Sequence, residues 1–188
     1  MSAFPQQRYI SEQDYLTLEA QSDSKHEYVE GDCYAMAGAG EKHNRIALNI
    51  AIVLRIAARG GSCGVFVSDM KCRVEQGRFY YYPDVMLVCN KADNAEFYKE
   101  QPCFIAEVQS TGTERIDRHE KWLVYSKMPS LRYYLLVDSL QIKAEYFMRD
   151  QAGAWQGGIL EHEQTLTIAY DDYHVALTPA DIYEDVLF

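Results

Sequence analysis

Long apolar runs are absent from this chain of 188 residues. No stretch approaches the ~18 consecutive apolar residues of a spanning helix, and Met1 to Tyr9 hold no basic segment leading into an apolar one. The expectation is a cytoplasmic protein with no membrane association. Cysteine is poor in useful patterns: Cys33, Cys63, Cys72, Cys89 and Cys103 are odd in number and include no C-x-x-C pair. Three sit in apolar strand-like runs, where a thiol packs as a small hydrophobe, so neither a zinc site nor a disulfide framework is expected. Histidines are scattered; His162 between Glu161 and Glu163 looks locally like a metal triplet, but its polar setting reads as a solvated loop. Repeats and low-complexity segments are lacking too, which leaves a single domain over 1–188.

Positive charge is also short. The 18 Lys and Arg against 28 Asp and Glu give a formal net charge of −10 at pH 7, which argues against a non-specific grip on nucleic-acid phosphates. A local basic groove is still open, because Lys42, Arg45, Arg55, Arg59, Lys71, Arg73 and Arg78 all fall between residues 41 and 80.

Against these absences, two carboxylates stand out. Asp84 follows Tyr82-Pro83 and opens the run Val85-Met86-Leu87-Val88-Cys89, while Glu107 interrupts Phe104-Ile105-Ala106 before Val108. Both runs read as buried strands, and Pro83, which cannot donate to a ladder, marks a strand start with Asp84 near it. Burying an unpaired charge is costly. If the strands pair, two like charges about 4 Å apart repel by roughly 4 kcal/mol at an effective dielectric of about 20. Nearby amides or an Arg could satisfy each acid separately; a shared hard cation such as Mg²⁺ would satisfy both.

The rest of the chain reads as α/β. Ser11-Glu12-Gln13-Asp14 resembles a capping box, and Glu30-Gly31-Asp32 sits between strand-like segments as a hairpin turn. Ile46, Ile50, Val53, Leu54 and Ala57 recur at helical spacing over 42–59, ahead of the stop Gly60-Gly61. Strands are expected at 64–68, 70–75, 78–89 with a break near Pro83, 102–109, 132–138, 142–149, 165–169 and 174–177. A Gly-rich loop is expected at 153–158, and a terminal helix with Thr178 as N-cap and Pro179 in its first turn. A second helix from about Glu114 to Ser126 would bury Ile116, Leu123 and Val124 and line up Asp117, Lys121 and Tyr125 on one face. The expected fold is a mixed β-sheet with helices against its faces.

The order and spacing of His26-Glu27-Tyr28-Val29-Glu30-Gly31, Ala39 to Arg45 with His43, Ser68-Asp69-Met70, Tyr82-Pro83-Asp84-Val85-Met86, Glu107-Val108-Gln109-Ser110 and Asp117 to Lys121 resemble the Uma-two family of bacterial endonucleases, with a match over roughly 11–150. The resemblance implies the PD-(D/E)xK restriction-endonuclease-like fold and a Mg²⁺- or Mn²⁺-dependent DNA endonuclease. It implies that Asp84, Glu107 and the Val108 carbonyl hold the metal, and that Glu27 is a nearby acid. The superfamily places Lys two residues after the Glu, where this chain has Gln109; the family offers Lys121 as the migrated lysine. His43, Lys71 and Arg73 are substrate-binding candidates, Asp69 and Asp117 outer acids, and Tyr80 to Tyr82 packing residues. A homodimer acting on both strands of DNA is expected. The loss of the strand lysine supports the alternative of a catalytically weak or inactive binding module.

Overall fold

The computed structural model describes residues 9–110 and 116–188, with side chains described for 9–110 and 119–188. Ser11 starts α1 (Glu12–Glu19): its Oγ accepts from the Asp14 amide at 3.2 Å and donates to the Asp14 carboxylate at 2.7 Å, satisfying one unpaired amide of the first turn. Strands β1 (His26–Val29) and β2 (Asp32–Ala35) form a hairpin whose two turn residues, Glu30 and Gly31, both have positive φ. That turn matches the strand twist. Space also demands glycine here, since a Cβ on Gly31 would collide with the Tyr9 ring.

Helix α2 (Glu41–Ala57) buries Ile46, Ala47, Ile50, Ala51 and Leu54, the stripe expected from its spacing. Next come β3 (Gly64–Val67), β4 (Lys71–Val74) and β5 (Phe79–Tyr81). Pro83 separates β5 from β6 (Val85–Val88). Then follow β7 (Tyr98–Lys99), β8 (Pro102–Gln109), a π-helical stretch Ile116–Lys121 and the short α3 (Trp122–Tyr125). The chain ends with β9 (Tyr133–Asp138), β10 (Ala144–Arg149), β11 (Trp155–Leu160), β12 (Leu166–Tyr170), β13 (Tyr173–Leu177) and α4 (Pro179–Ile182), capped by Thr178 and Asp181.

The central sheet has the order β11-β10-β9-β8-β6-β3. It is mixed, because β8 runs parallel to β9 and antiparallel to β6. A second sheet has the order β2-β1-β5-β4-β7. One face of the central sheet, with Val85, Leu87, Phe104, Ala106, Val108 and Leu135, packs on α2, β13 and α4. Its other face, with Met86, Ile105, Tyr134 and Leu136, meets Cys72, Val74, Phe79 and Tyr81 of the second sheet and Val124 and Tyr125 of α3. Helix α1 covers the far side of the second sheet through Tyr15, Tyr28 and Tyr80. The α/β mixed-sheet expectation is met, but a second sheet covers the face where another long helix was expected.

Three local readings are corrected. The Gly-rich segment at 153–158 is largely strand: a Cβ on Gly158 would come within 2.8 Å of the Tyr146 ring and one on Gly157 within 3.0 Å of Phe147, so the glycines admit cross-strand aromatic rings. Leu123 is 62% exposed instead of buried, whereas Lys121, Val124 and Tyr125 are inside. The π-helical stretch just before α3 breaks the 3.6-residue spacing on which that expectation rested. Ile116 and Asp117 lie outside the described side chains. Finally, Cys63 and Cys89 form a disulfide; Gly64 pairs with Val88, so the residues flanking β3 and β6 face each other, a register invisible in the Cys spacing.

Candidate active site

Register creates the site. Val85 pairs with Ala106, so Asp84, one residue ahead of β6, falls beside Glu107 of β8. Successive strand side chains alternate, which puts Glu107 and Gln109 with Ile105 on the face toward the second sheet. Glu27 of β1 shares the inward face of that sheet with Tyr81 and Cys72, because its neighbour Tyr28 lies with Tyr15 and Tyr80 on the opposite side. The seam between the two sheets is therefore lined by acids from both.

The protein supplies a cation of its own to that seam. Lys121 Nζ lies 2.8 Å from Glu27 Oε1 and 3.4 Å from Glu107 Oε1, and 5.5 Å from the centre of the Tyr81 ring. These side chains are 8%, 14% and 3% exposed, so solvent screens the pairs weakly. Tyr125, one helical turn beyond Lys121, donates its hydroxyl to Glu107 Oε1 at 3.2 Å. Burial, with the Glu107 charge adding to it, raises the Tyr125 hydroxyl well above the usual phenol range, so it stays a donor. Burial likewise raises Tyr81, with Glu27 contributing.

Asp84 is held differently. Its Oδ2 accepts from the Val108 amide at 2.7 Å and lies 3.2 Å from His43 Nε2 in the first turn of α2. That helix N-terminus carries the positive end of the macrodipole, which favours a carboxylate nearby. Lys121 thus lies against Glu107 and Glu27, while an amide and an imidazole lie against Asp84.

Gln109 is buried two residues beyond Glu107, and its carbonyl accepts from the Ser139 amide and hydroxyl. Lys71 and Arg73 are not brought to this seam. They alternate with Cys72 and Val74, so they project toward α1 on the outer face of the second sheet. Arg73 pairs there with Glu12 at 2.8 Å and Glu100 at 2.5 Å, and Lys71 Nζ lies 5.3 Å from the Tyr82 ring centre. Burial lowers the Lys71 pKa. Asp69 pairs with Lys25 at an exposed position. Tyr80 to Tyr82 are buried packing residues, as expected. Tyr125 is marked in the sequence only by sharing a helix face with Lys121; that i+4 spacing is the available signal for a second contact to Glu107.

Does the donor set fit a metal? Carboxylates of Asp84, Glu107 and Glu27 with a backbone carbonyl are the oxygen ligands that Mg²⁺ and Mn²⁺ take. Glu27 Oε1 is buried 2.8 Å from Lys121 Nζ, and a carboxylate oxygen beside one ammonium retains acceptor capacity. Among the described residues, however, no three His, Cys, Asp or Glu side chains are gathered tightly enough to hold an ion. The chemistry fits, and binding would require these side chains to draw together. A cleft of about 350 Å³, lined by Tyr9, Glu12, Tyr28, Glu30, Gln76, Gly77 and Arg78, includes none of them.

A model of the Uma2 family, described as "Putative restriction endonuclease", matches residues 12–172. Two uncharacterized proteins of Synechocystis sp. are similar along most of their length: one is 30% identical, covering 79% of this chain and 85% of its own, and the other 32% identical, covering 78% and 77%. The crystal structure of a "putative nuclease belonging to DUF820" from Anabaena variabilis superposes with a TM-score of 0.74 over 95% of this chain and 99% of that one, at 16% identity, which shows a shared fold.

Proposed function

The chain belongs to the Uma2 family, and from that premise we propose that it is a divalent-metal-dependent endonuclease hydrolysing phosphodiester bonds in DNA. The observation that carries the reading is the buried Glu27–Lys121–Glu107 chain beside the Asp84–His43 pair. Asp84, Glu107 and the Val108 carbonyl would hold Mg²⁺ or Mn²⁺, with Glu27 adjoining. When bound, such an ion polarises a phosphate and lowers the pKa of a coordinated water.

The chain's own groups do the rest. The Val108 amide fixes the orientation of Asp84, and Tyr125 fixes that of Glu107. Lys121 presents a preorganised positive charge to the oxyanion that develops on the phosphate, a contact of the kind that supplies a few kcal/mol. His43 Nε2 steadies Asp84 from the first turn of α2 and is suited to a phosphate contact once substrate arrives. Gln109 can orient a water but brings no charge. Lys71 and Arg73 lie on the outer face of the second sheet, away from the seam, and Arg73 is held by its two carboxylates. A homodimer would place two centres on a duplex. Leu48, Ile52 and Ile56, at i, i+4 and i+8 on α2 and all exposed, supply an apolar stripe for it.

The test is supercoiled plasmid incubated with protein and Mg²⁺, Mn²⁺ or chelator. Cutting should require the metal, and Asp84→Asn and Glu107→Gln should each lower it by about 10²-fold or more. Metal-independent cutting, or full activity in both variants, refutes the assignment. A second reading, a binding module of the same fold, is favoured by Gln109 and by acids already neutralised within the protein. Tight DNA binding without cutting at any metal concentration would select it.

A further inference from the structure

Sulfur atoms gather at one place away from the acids. The Cys63–Cys89 disulfide joins the residue before β3 to the residue after β6. A third sulfur stands against it: Cys103 Sγ is 3.7 Å from Cys89 Sγ. A local irregularity in the β6–β8 ladder accounts for its position. Leu87 pairs with Phe104 but Val88 pairs with Pro102, so Cys103 is the extra residue of a β-bulge. Bulges re-aim side chains, and here Cys103 and its neighbour Phe104 both enter the core cluster that contains Cys89, where regular alternation would send them to opposite faces. The Cys103 thiol is reduced and buried, and donates to the Leu87 carbonyl at 3.4 Å. Cys63, beside the edge strand β3, is only half-buried.

We propose that these three cysteines form a thiol–disulfide exchange site whose outlet is Cys63, a modification site for thiol-reactive small molecules. The Cys103 thiolate attacks Cys89 Sγ; the Cys89–Cys103 bond forms, the Cys63–Cys89 bond breaks, and the Cys63 thiolate leaves with the electron pair and takes up the proton that Cys103 lost. One disulfide and one thiol stand on each side, so no oxidant or reductant is consumed. The exchange moves the thiol from the core to the edge of the sheet. Its rate follows the thiolate fraction of the attacking sulfur. Burial pushes the Cys103 thiol up to about 12, with Arg132 opposing and Asp171 adding to that shift, so exchange should be slow at neutral pH and accelerate by about tenfold per pH unit up to pH 9.5.

The test uses the full chain purified without reductant, incubated at pH 7 to 9.5 with iodoacetamide, quenched in acid and digested with pepsin for mass spectrometry. The expected products are Cys63 alkylation together with a Cys89–Cys103-linked peptide, both rising with pH and both lost in Cys103→Ser. Cys63→Ser treated with oxidised dithiothreitol should form the Cys89–Cys103 bond, which checks the reach of that pair without depending on the first variant. Recovery of Cys63–Cys89 alone at every pH would overturn the proposal. So would equal Cys63 alkylation in Cys103→Ser, reduced Cys63 and Cys89 in the starting protein, or no bond in the Cys63→Ser variant.

Discussion

Replacing Lys121 by Met removes the ammonium while keeping an unbranched stem of similar length, and so isolates the charge. In the native protein that charge lies 2.8 Å from Glu27 Oε1 and 3.4 Å from Glu107 Oε1. At an effective dielectric of about 20 these separations correspond to gross attractions of about 6 and about 5 kcal/mol. Much of that is offset by the cost of desolvating three charged groups. What remains after the substitution is two buried carboxylates without their cation, a situation that typically costs about 3–5 kcal/mol. For a chain of this size the metal-free melting temperature should fall by roughly 10 °C.

The same substitution should make stability metal-dependent. Millimolar Mg²⁺ should recover more of the lost stability in Lys121→Met than it adds to the wild type, because it would bring positive charge to acids that have lost their ammonium. Differential scanning calorimetry with and without Mg²⁺ reads both effects. A double-mutant cycle with Glu27→Gln should show coupling of at least about 1 kcal/mol. If Lys121→Met melts within about 2 °C of wild type and gains no more from Mg²⁺, charge compensation by Lys121 is refuted.

Other expected outcomes follow from the same geometry. Arg73→Ala should cost roughly 1–2 kcal/mol in urea melts at pH 7, a figure kept low because Glu12 and Glu100 are partly exposed. The Arg73 hydrogen bond holds the Glu12 pKa below its ordinary 4.5, so this stability is complete above that value and is lost as pH falls through the lowered one; the wild-type stability curve should be steeper than the variant's in that acid range. Val124→Ala should cost about 1–2 kcal/mol, whereas Leu123→Ala should stay within about 0.5 kcal/mol, and equal costs would show that α3 does not turn Val124 inward and Leu123 outward. Ile52→Asp should convert a dimer to a monomer in light scattering with the melting temperature little changed, and a wild type that is already monomeric would remove the proposed interface.

Elements with strong local signals were legible in the sequence. A short apolar run interrupted by one acid located β8 at 102–109, Pro83 located the break ahead of β6, Thr178-Pro179 located the cap of α4, and the apolar period located the buried face of α2. What escaped depended on partners far along the chain. Gly157 and Gly158 look like loop until Phe147 and Tyr146 are placed opposite them. Cys63 and Cys89 look unrelated until the β3–β6 register is known. The second sheet over the central one could not be read either, because its strands β1, β2, β4 and β5 have no pattern that distinguishes packing on a sheet from packing on a helix.

At the site, the sequence marked which acids need compensation but not their connectivity. Two acids in apolar runs did require compensation, and Glu107 is indeed not buried alone. Which cation compensates it depended on two facts hidden in the sequence. One is that β1 reaches the seam and brings Glu27 to the same ammonium; the other is that the Val108 amide points at Asp84 and not at another strand. A lysine on the strand itself, two residues beyond Glu107, would have to emerge on the Gln109 side of the sheet. Lys121 instead enters from the last residue of the π-helical stretch that precedes α3, a route that lets one ammonium bridge acids from two different sheets. Lys121 on this route ties the second sheet to the central one through charge, so that a substitution removing that charge should register in stability.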